Sequence, residues 1–318
     1  MKKTTIFALS LSFVFALGFT SCTVDDEVRV YAGVKPEQGN NDDGKNPGGL
    51  PGGGGVTNPS DFSRNLEVPK LKGGNSLFIT HTLDNGDVNY SVEWDKEKMS
   101  NRWSCWSLTK KNTEDNVKRA KSDQFAFDPM LPKGSYLEVL NFGRGFDRGH
   151  LCPSGDRKSS RQANDQTFYM SNMQPQYSYF NQHVWQAMEN WTRENFKEEL
   201  HSCSDAVLYI CRGGTIDNPS YLLKNFKGLL VPKYFFAAQL LQYKERGQGQ
   251  WKYKAIGFWY ENVSNKDADT TLKIHVVSIK DLQDRTNIDF FCNLPDDIEN
   301  KVENVSRDQV LSSWQLPN

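Results

Sequence analysis

The chain has 318 residues, 38 Lys and Arg against 39 Asp and Glu, and a net charge of −1. With 37% hydrophobic residues it holds material for a sizeable core, which excludes wholesale disorder; one apolar run at the extreme N-terminus excludes a multi-span membrane protein. Balanced charge excludes a protein that coats nucleic acid through bulk positive charge, so a polyanion would have to be handled at a local site, with a metal.

Lys2 and Lys3 precede an apolar stretch from Ile6 to Phe19, and Phe19-Thr20-Ser21-Cys22 follows. The run is short for a bilayer span and lacks a basic stop-transfer flank, so it reads as a cleaved signal. Because it ends at Cys, residues 1–22 resemble a bacterial lipoprotein signal in which Cys22 is lipidated; the competing reading is an ordinary secretory signal. The Asp25-Asp26-Glu27 cluster is either similar to the surface-export signal of Bacteroidota lipoproteins or a solvated linker. Residues 23–64 have no apolar period and contain Pro47-Gly48-Gly49-Leu50-Pro51 and Gly52 to Gly55, which reads as a flexible tether. One domain is expected over residues 65–318. The expected location is the cell envelope, with the domain held to the outer-membrane surface by lipid.

Within that domain Leu77 to Thr82 and Val88 to Trp94 read as strands about an Asn85-Gly86 hairpin turn, with a third strand at Ser104 to Leu108. Helices are expected over about Ser160–Tyr169 and Asn181–Leu200. In the second, Val184, Trp185, Met188, Trp191 and Phe196 form one apolar stripe. A second group of strands follows at Val207 to Cys211, Tyr234 to Leu241, Tyr253 to Tyr260 and Thr271 to Val277. Helices around Ile279–Arg285 and Pro295–Val302 come last. The fold class is α+β, a mainly antiparallel sheet flanked by helices. Five cysteines beyond Cys22 cannot all pair within one chain, and none is assigned to a bridge.

Chemistry concentrates between Asp147 and Arg193. Asp147-Arg148-Gly149-His150 puts a base that titrates near neutrality beside a phosphate-binding fork and a glycine that lets the backbone approach a ligand. Asn181, Glu189 and Arg193 fall near one helix edge while Trp185 faces the core. Each has a bland alternative. Asn181 suits a helix N-cap, Asp147 and Arg148 an ion pair, Glu189 and Arg193 a solvated pair one turn apart, and His150 an ordinary loop histidine.

Taken together, Asp147-Arg148-Gly149-His150 with Gly155, Asn172 before Pro175-Gln176, and Asn181, Trp185, Glu189 and Arg193 resemble the active-site signature of the non-specific DNA/RNA endonucleases, the Serratia-nuclease and endonuclease G type with a ββα-metal (His-Me finger) core. Arg212-Gly213-Gly214 and Asp281 to Thr286 match later landmarks, so the resemblance covers most of residues 75–302. It implies a Mg²⁺-dependent (or Mn²⁺-dependent) nuclease that cuts DNA and RNA to 5′-phosphate products. By the same resemblance His150 is the general base, Asn181 the direct metal ligand and Glu189 the holder of a water on the metal. Arg148 and Arg193 clamp phosphate, and Asn172 positions the catalytic loop. Cys152 stands where relatives often carry Ala. A further phosphate-clamping arginine, expected before Asp128-Pro129, is left open among Arg119, Lys121 and Arg144. Two other readings of the chain are a tethered glycan-binding surface lipoprotein built on its aromatic residues, and a phosphodiesterase acting on small molecules.

Overall fold

Two apolar layers face away from each other across one sheet, and strict alternation along the strands sorts the side chains between them. The computed structural model describes residues 30–31, 65–143, 145–226, 228–265 and 270–317. The signal, Cys22, all of the expected tether except Val30–Tyr31, and Arg144 lie outside the described residues. In chain order the strands are β1 (Val30–Tyr31), β2 (Ser76–Thr82), β3 (Val88–Asp95), β4 (Ser100–Leu108), β5 (Phe146–His150), β6 (Met173–Tyr177), β7 (Cys203–Gly214), β8 (Leu222–Phe226), β9 (Leu229–Pro232), β10 (Tyr234–Glu245), β11 (Lys252–Glu261) and β12 (Val276–Val277). The helices are α1 (Arg161–Gln166), α2 (Gln186–Ser202), α3 (Leu272–His275), α4 (Ile279–Thr286), α5 (Asp296–Glu303) and α6 (Arg307–Ser313).

The large sheet runs β1-β2-β3-β4-β7-β10-β11-β12. Every pairing in it is antiparallel except that of β1 with β2. What the sequence presents as two groups of strands is therefore one sheet, joined where Cys105 of β4 opposes Cys211 of β7. On β10, Phe235, Ala237 and Leu241 enter the layer beneath α2, whereas Phe236, Ala238 and Leu240 enter the layer beneath α4 and α5. Central strands buried on both faces account for their near-continuous apolar composition. Trp185, Met188, Trp191 and Phe196 are all in the first layer, as their helical spacing requires. Removing the Trp185 side chain would cost about 3–5 kcal/mol.

Three expected boundaries change. Thr271 to Val277 is not a strand: a turn of helix, α3, precedes the two-residue β12, and Ile274, which fits an alternating pattern, is 54% exposed. The first helix is helical only over Arg161–Gln166, capped by the Ser160 side chain accepting from the Ala163 N–H. The helix expected to open at Asn181 is already turning at Ser178 and passes through a wide π-type turn, Phe180–Trp185, before α2. Asn181 therefore lies inside the helix and is not its N-cap. The sequence reading also missed the β8–β9 hairpin, α6 with its Ser306–Gln309 capping box, and the β5–β6 hairpin that carries the site.

Candidate active site

The Asp-Arg-Gly-His segment is β5, paired antiparallel with β6 so that His150 opposes Met173 and Gly149 opposes Gln174. Gly149 is required by packing. A Cβ there would stand 2.2 Å from the carboxamide carbon of buried Gln176. Asn172, fully buried, fixes the chain on leaving the hairpin. Its Oδ1 accepts from the Cys152 N–H at 2.9 Å and the Ser104 hydroxyl at 3.0 Å. Its Nδ2 donates to the carbonyls of Cys152 at 2.8 Å and Thr167 at 2.9 Å. With its hydrogen-bonding groups used in this way, Asn172 positions the backbone around the histidine and offers nothing to a ligand.

His150 is 9% exposed, and its ring lies between Phe168, centroid at 5.0 Å, and Phe125, at 5.8 Å. Burial, with Arg119 and Arg148 nearby, pulls its pKa down from 6.5 to about 3, so the imidazole is neutral at physiological pH. The ring hydrogen-bonds the Arg148 backbone, while Nε2 is buried without a partner among the described residues. The bonded nitrogen is thus Nδ1, which leaves the Nε2 lone pair free to accept a proton. From the helix, Trp185 Nε1 donates to the His150 carbonyl at 3.2 Å and ties the two elements together. Arg148 lies with Cζ 3.6 Å from the Phe125 ring centroid and donates Nη1 to the Leu140 carbonyl at 3.0 Å.

Asn181 Nδ2 donates to Asp147 Oδ2 at 3.0 Å. The same carboxylate accepts from Gln182 Nε2 at 2.8 Å and the Ser178 hydroxyl at 2.8 Å. With Nδ2 donating to this carboxylate, the NH₂ end of Asn181 faces Asp147, and Oδ1, the atom the resemblance implies for a metal, points elsewhere. The ion pair that stood as the alternative for Asp147 and Arg148 is absent among the described residues; Asp147 orients Asn181.

Glu189 is drawn into a ring of guanidinium groups. Arg212, fully buried on β7, places Nη1 3.7 Å from Glu189 Oε1. Burial still dominates and pushes the Glu189 carboxyl up to about 7, with Arg212, Arg193 and Arg119 opposing. Arg193 does not pair with Glu189 as two positions on a solvated face would. It donates Nη1 to buried Asp156 at 3.0 Å, and Asp156 also accepts from Trp106 Nε1 at 3.0 Å. Arg119 is the one group acting on both His150 and Glu189, and it is exposed, with Cζ 5.0 Å from the Phe168 ring. Of the basic residues left open upstream, Arg119 is the one whose charge acts on these two side chains.

The structure thus gathers His150, Arg148, Asn181, Glu189 and Arg193 on the α2 side of the sheet, with Asn172 behind them. Sequence reasoning missed Asp156 and Arg212 as functional supports. Arg212-Gly213-Gly214 was legible only as a landmark, and Asp156 had no signal beyond following Gly155. Buried Cys152, whose thiol is pushed up to about 12, is chemically quiet. A cavity of about 710 Å³ lies elsewhere and is lined by residues such as Asp84, Lys111 and Arg157.

Residues 74–297 match the DNA/RNA non-specific endonuclease family. The chain is 30% identical over 216 residues to Nuclease C1 of Cunninghamella echinulata var. echinulata, covering 65% of this chain and 81% of that protein. It is 28% identical over 222 residues to a nuclease of Nostoc sp., covering 67% and 75%. Its fold is similar to a chain in the crystal structure of the EndoG/EndoGI complex, with a TM-score of 0.55 and 21% identity over 69% of this chain and 88% of that one. With the match spanning the sheet, the hairpin and α2, the chain belongs to the DNA/RNA non-specific endonuclease family and is a nuclease.

Proposed function

We propose that the chain is a Mg²⁺-dependent endonuclease (Mn²⁺ substituting) that hydrolyses both DNA and RNA and leaves 5′-phosphates. The observation that carries this reading is the neutral His150, whose Nε2 has no partner among the described residues and whose ring feels the same arginine, Arg119, that acts on Glu189. Nε2 accepts a proton from the attacking water, while the Arg148 backbone and Trp185 hold the ring and the chain beneath it. The donors that the resemblance assigns to the metal are oxygens, Asn181 Oδ1 and the Glu189 carboxylate, a set that suits a hard divalent cation keeping part of its water shell. When bound, such a cation supplies neutralisation of the charge that develops on phosphate. Arg119, Arg148 and Arg193 bind phosphate oxygens, and contacts to the backbone carry no sequence information, so DNA and RNA both qualify. The resemblance that implies 5′-phosphate ends and the metal is the support for those two statements.

Incubation of the protein with supercoiled plasmid and with RNA, with Mg²⁺ or with EDTA, tests this reading. Both substrates should be cut only with the metal, and His150→Ala should lose about 10²–10⁴-fold in rate while still binding. Absence of cleavage with either metal from pH 6 to 9, in folded protein, would refute it. The glycan-binding alternative loses its basis, because six of the eight tryptophans are core residues. For location we propose a lipid anchor at Cys22, supported by the sequence of residues 1–22; Cys22→Ala should move the protein out of the membrane fraction with its activity intact.

A further inference from the structure

On the face of the sheet opposite the active site, the loop after α4 and the helix α5 bring three carboxylates together. One oxygen from each of Asp289, Glu299 and Glu303 lies within 4.8 Å of the others. Acidic clusters are common on surfaces, but here one member is dry. Glu303 is 9% exposed, and its Oε1 is buried with no hydrogen-bond partner among the described residues. Its other oxygen accepts from Gln283 Nε2 at 3.1 Å, and Gln283 is itself fixed because its Oε1 accepts the Phe290 N–H at 2.9 Å. The carboxylate is therefore held in place with one oxygen unsatisfied, a condition that native interiors avoid unless a ligand completes it. Burial and the neighbours Glu303, Asp289 and Asp296 push the Glu299 carboxyl up to about 7. Lys280, which acts on Glu303, is half-exposed and already paired with Asp284.

We infer that Asp289, Glu299 and Glu303 bind a divalent cation, Ca²⁺ in preference to Mg²⁺, at a site separate from the catalytic centre. Three flexible carboxylates, each able to bind through one or both oxygens, suit the six to eight oxygen ligands of Ca²⁺. The three oxygens lie within 4.8 Å of one another and can converge on one cation after small side-chain rotations; Ca²⁺, with ligands at roughly 2.3–2.6 Å, needs less contraction of the group than Mg²⁺ at about 2.0–2.1 Å. The loop that holds Asp289 also grips the start of the domain. The Asp289 carbonyl accepts from the Lys70 N–H at 2.9 Å, and Asn293 Nδ2 donates to the Asn65 carbonyl at 2.9 Å. A cation here clamps α4, α5 and the 65–70 strap onto the second apolar layer, so its role is stability and not chemistry.

The test is thermal melting of the full chain, stripped with EDTA and then given 1 mM CaCl₂ or 1 mM MgCl₂. Wild type should gain roughly 4–8 °C with Ca²⁺ and distinctly less with Mg²⁺. Asn181→Ala, altered only at the proposed catalytic ligand, should keep the full gain. Glu299→Gln and Glu303→Gln should each lose it, melt at or above wild type in EDTA because a like charge has gone, and keep Mg²⁺-dependent plasmid nicking. Should Glu303→Gln not fold, the partly exposed Glu299→Gln gives the same readout. The inference is overturned if wild type gains nothing from Ca²⁺, if the gain survives in the glutamine variants, or if it disappears in Asn181→Ala. An equal gain from Mg²⁺ overturns the Ca²⁺ preference. None of these outcomes depends on nuclease activity, so failure of the proposed function would leave the site standing.

Discussion

Gly155 lies directly against the guanidinium of Arg193: a Cβ at this position would stand 2.8 Å from Nη1 and 3.0 Å from Cζ. The atoms it would meet belong to the far end of a flexible side chain, so Gly155→Ala should displace the guanidinium from Asp156 and leave the backbone in place. Because misplacing a positioning group by about 1 Å can cost on the order of 10²-fold, kcat/KM on plasmid should fall at least about tenfold with the melting temperature nearly unchanged. Wild-type kinetics in this variant would show that Arg193 does not depend on the space Gly155 leaves.

Asn181 sits inside a wide helical turn and bonds only through its NH₂ end, to Asp147. Asn181→Ala should therefore melt within a few degrees of wild type and lose most activity, while Asn181→Asp, facing Asp147 with a second carboxylate, should shift the metal titration. Stability and activity falling in proportion in both variants would favour a purely structural asparagine.

Arg119→Ala removes an exposed guanidinium, so folding stability should move by no more than about 0.5 kcal/mol. KM for nucleic acid should rise, and the slope of log KM against log salt should flatten by about one phosphate contact. If KM and salt slope both stay put, the arginine does not touch substrate.

Arg212 holds the Glu189 carboxyl lower than burial alone would. Arg212→Met, of similar length and uncharged, should raise the pH at which Glu189 ionises by about one unit. Mg²⁺ should then activate poorly at pH 7 and recover at pH 9. A metal titration insensitive to pH in this variant would sever Glu189 from the ion.

Acid stability follows from His150. Its folded pKa, about 3, lies below the ordinary 6.5, so between these values the unfolded chain takes up a proton that the folded chain refuses. That stability is present above pH 6.5 and is lost as pH falls, by about 1.4 kcal/mol per unit. Glu189, raised from 4.5 to about 7, works in the opposite sense and offsets the loss between pH 6.5 and 4.5. Below pH 4.5 the Glu189 offset ends, and His150 acts together with the lowered carboxylates of Asp128 and Asp217, so His150→Gln should make the decline in melting temperature from pH 4.5 to 3.5 shallower without abolishing it. An unchanged decline would assign acid sensitivity to other groups.

How much of this was legible depended on whether the signal was local. Asp147 through Arg193 declared itself through spacing, and the stripe from Val184 to Phe196 placed α2 against the sheet as found. Arg119 was one of three basic candidates, with Lys121 and Arg144, until its place over the Phe168 ring beside His150 set it apart, which is a tertiary fact. Arg212 reads as an ordinary strand residue, since nothing in the sequence announces that Glu189 will lie above it. The wide turn at Phe180–Trp185 leaves the apolar stripe almost intact, so periodicity could not reveal that Asn181 had left the cap. Ile274 failed for the reverse reason: it kept the alternating pattern while pointing to solvent.

The β5–β6 hairpin stands apart from the large sheet, and the residues proposed for proton transfer and metal binding all belong to the single stretch from Asp147 to Arg193. Arg119 alone reaches in from a separate surface loop. One part of the proposed substrate grip, Arg119, is thus written apart from the chemistry, while Arg148 and Arg193 are inherited with it. Changes in the part of that loop before Phe125, which packs on His150, would alter what Arg119 supplies and leave the residues from Asp147 to Arg193 in place.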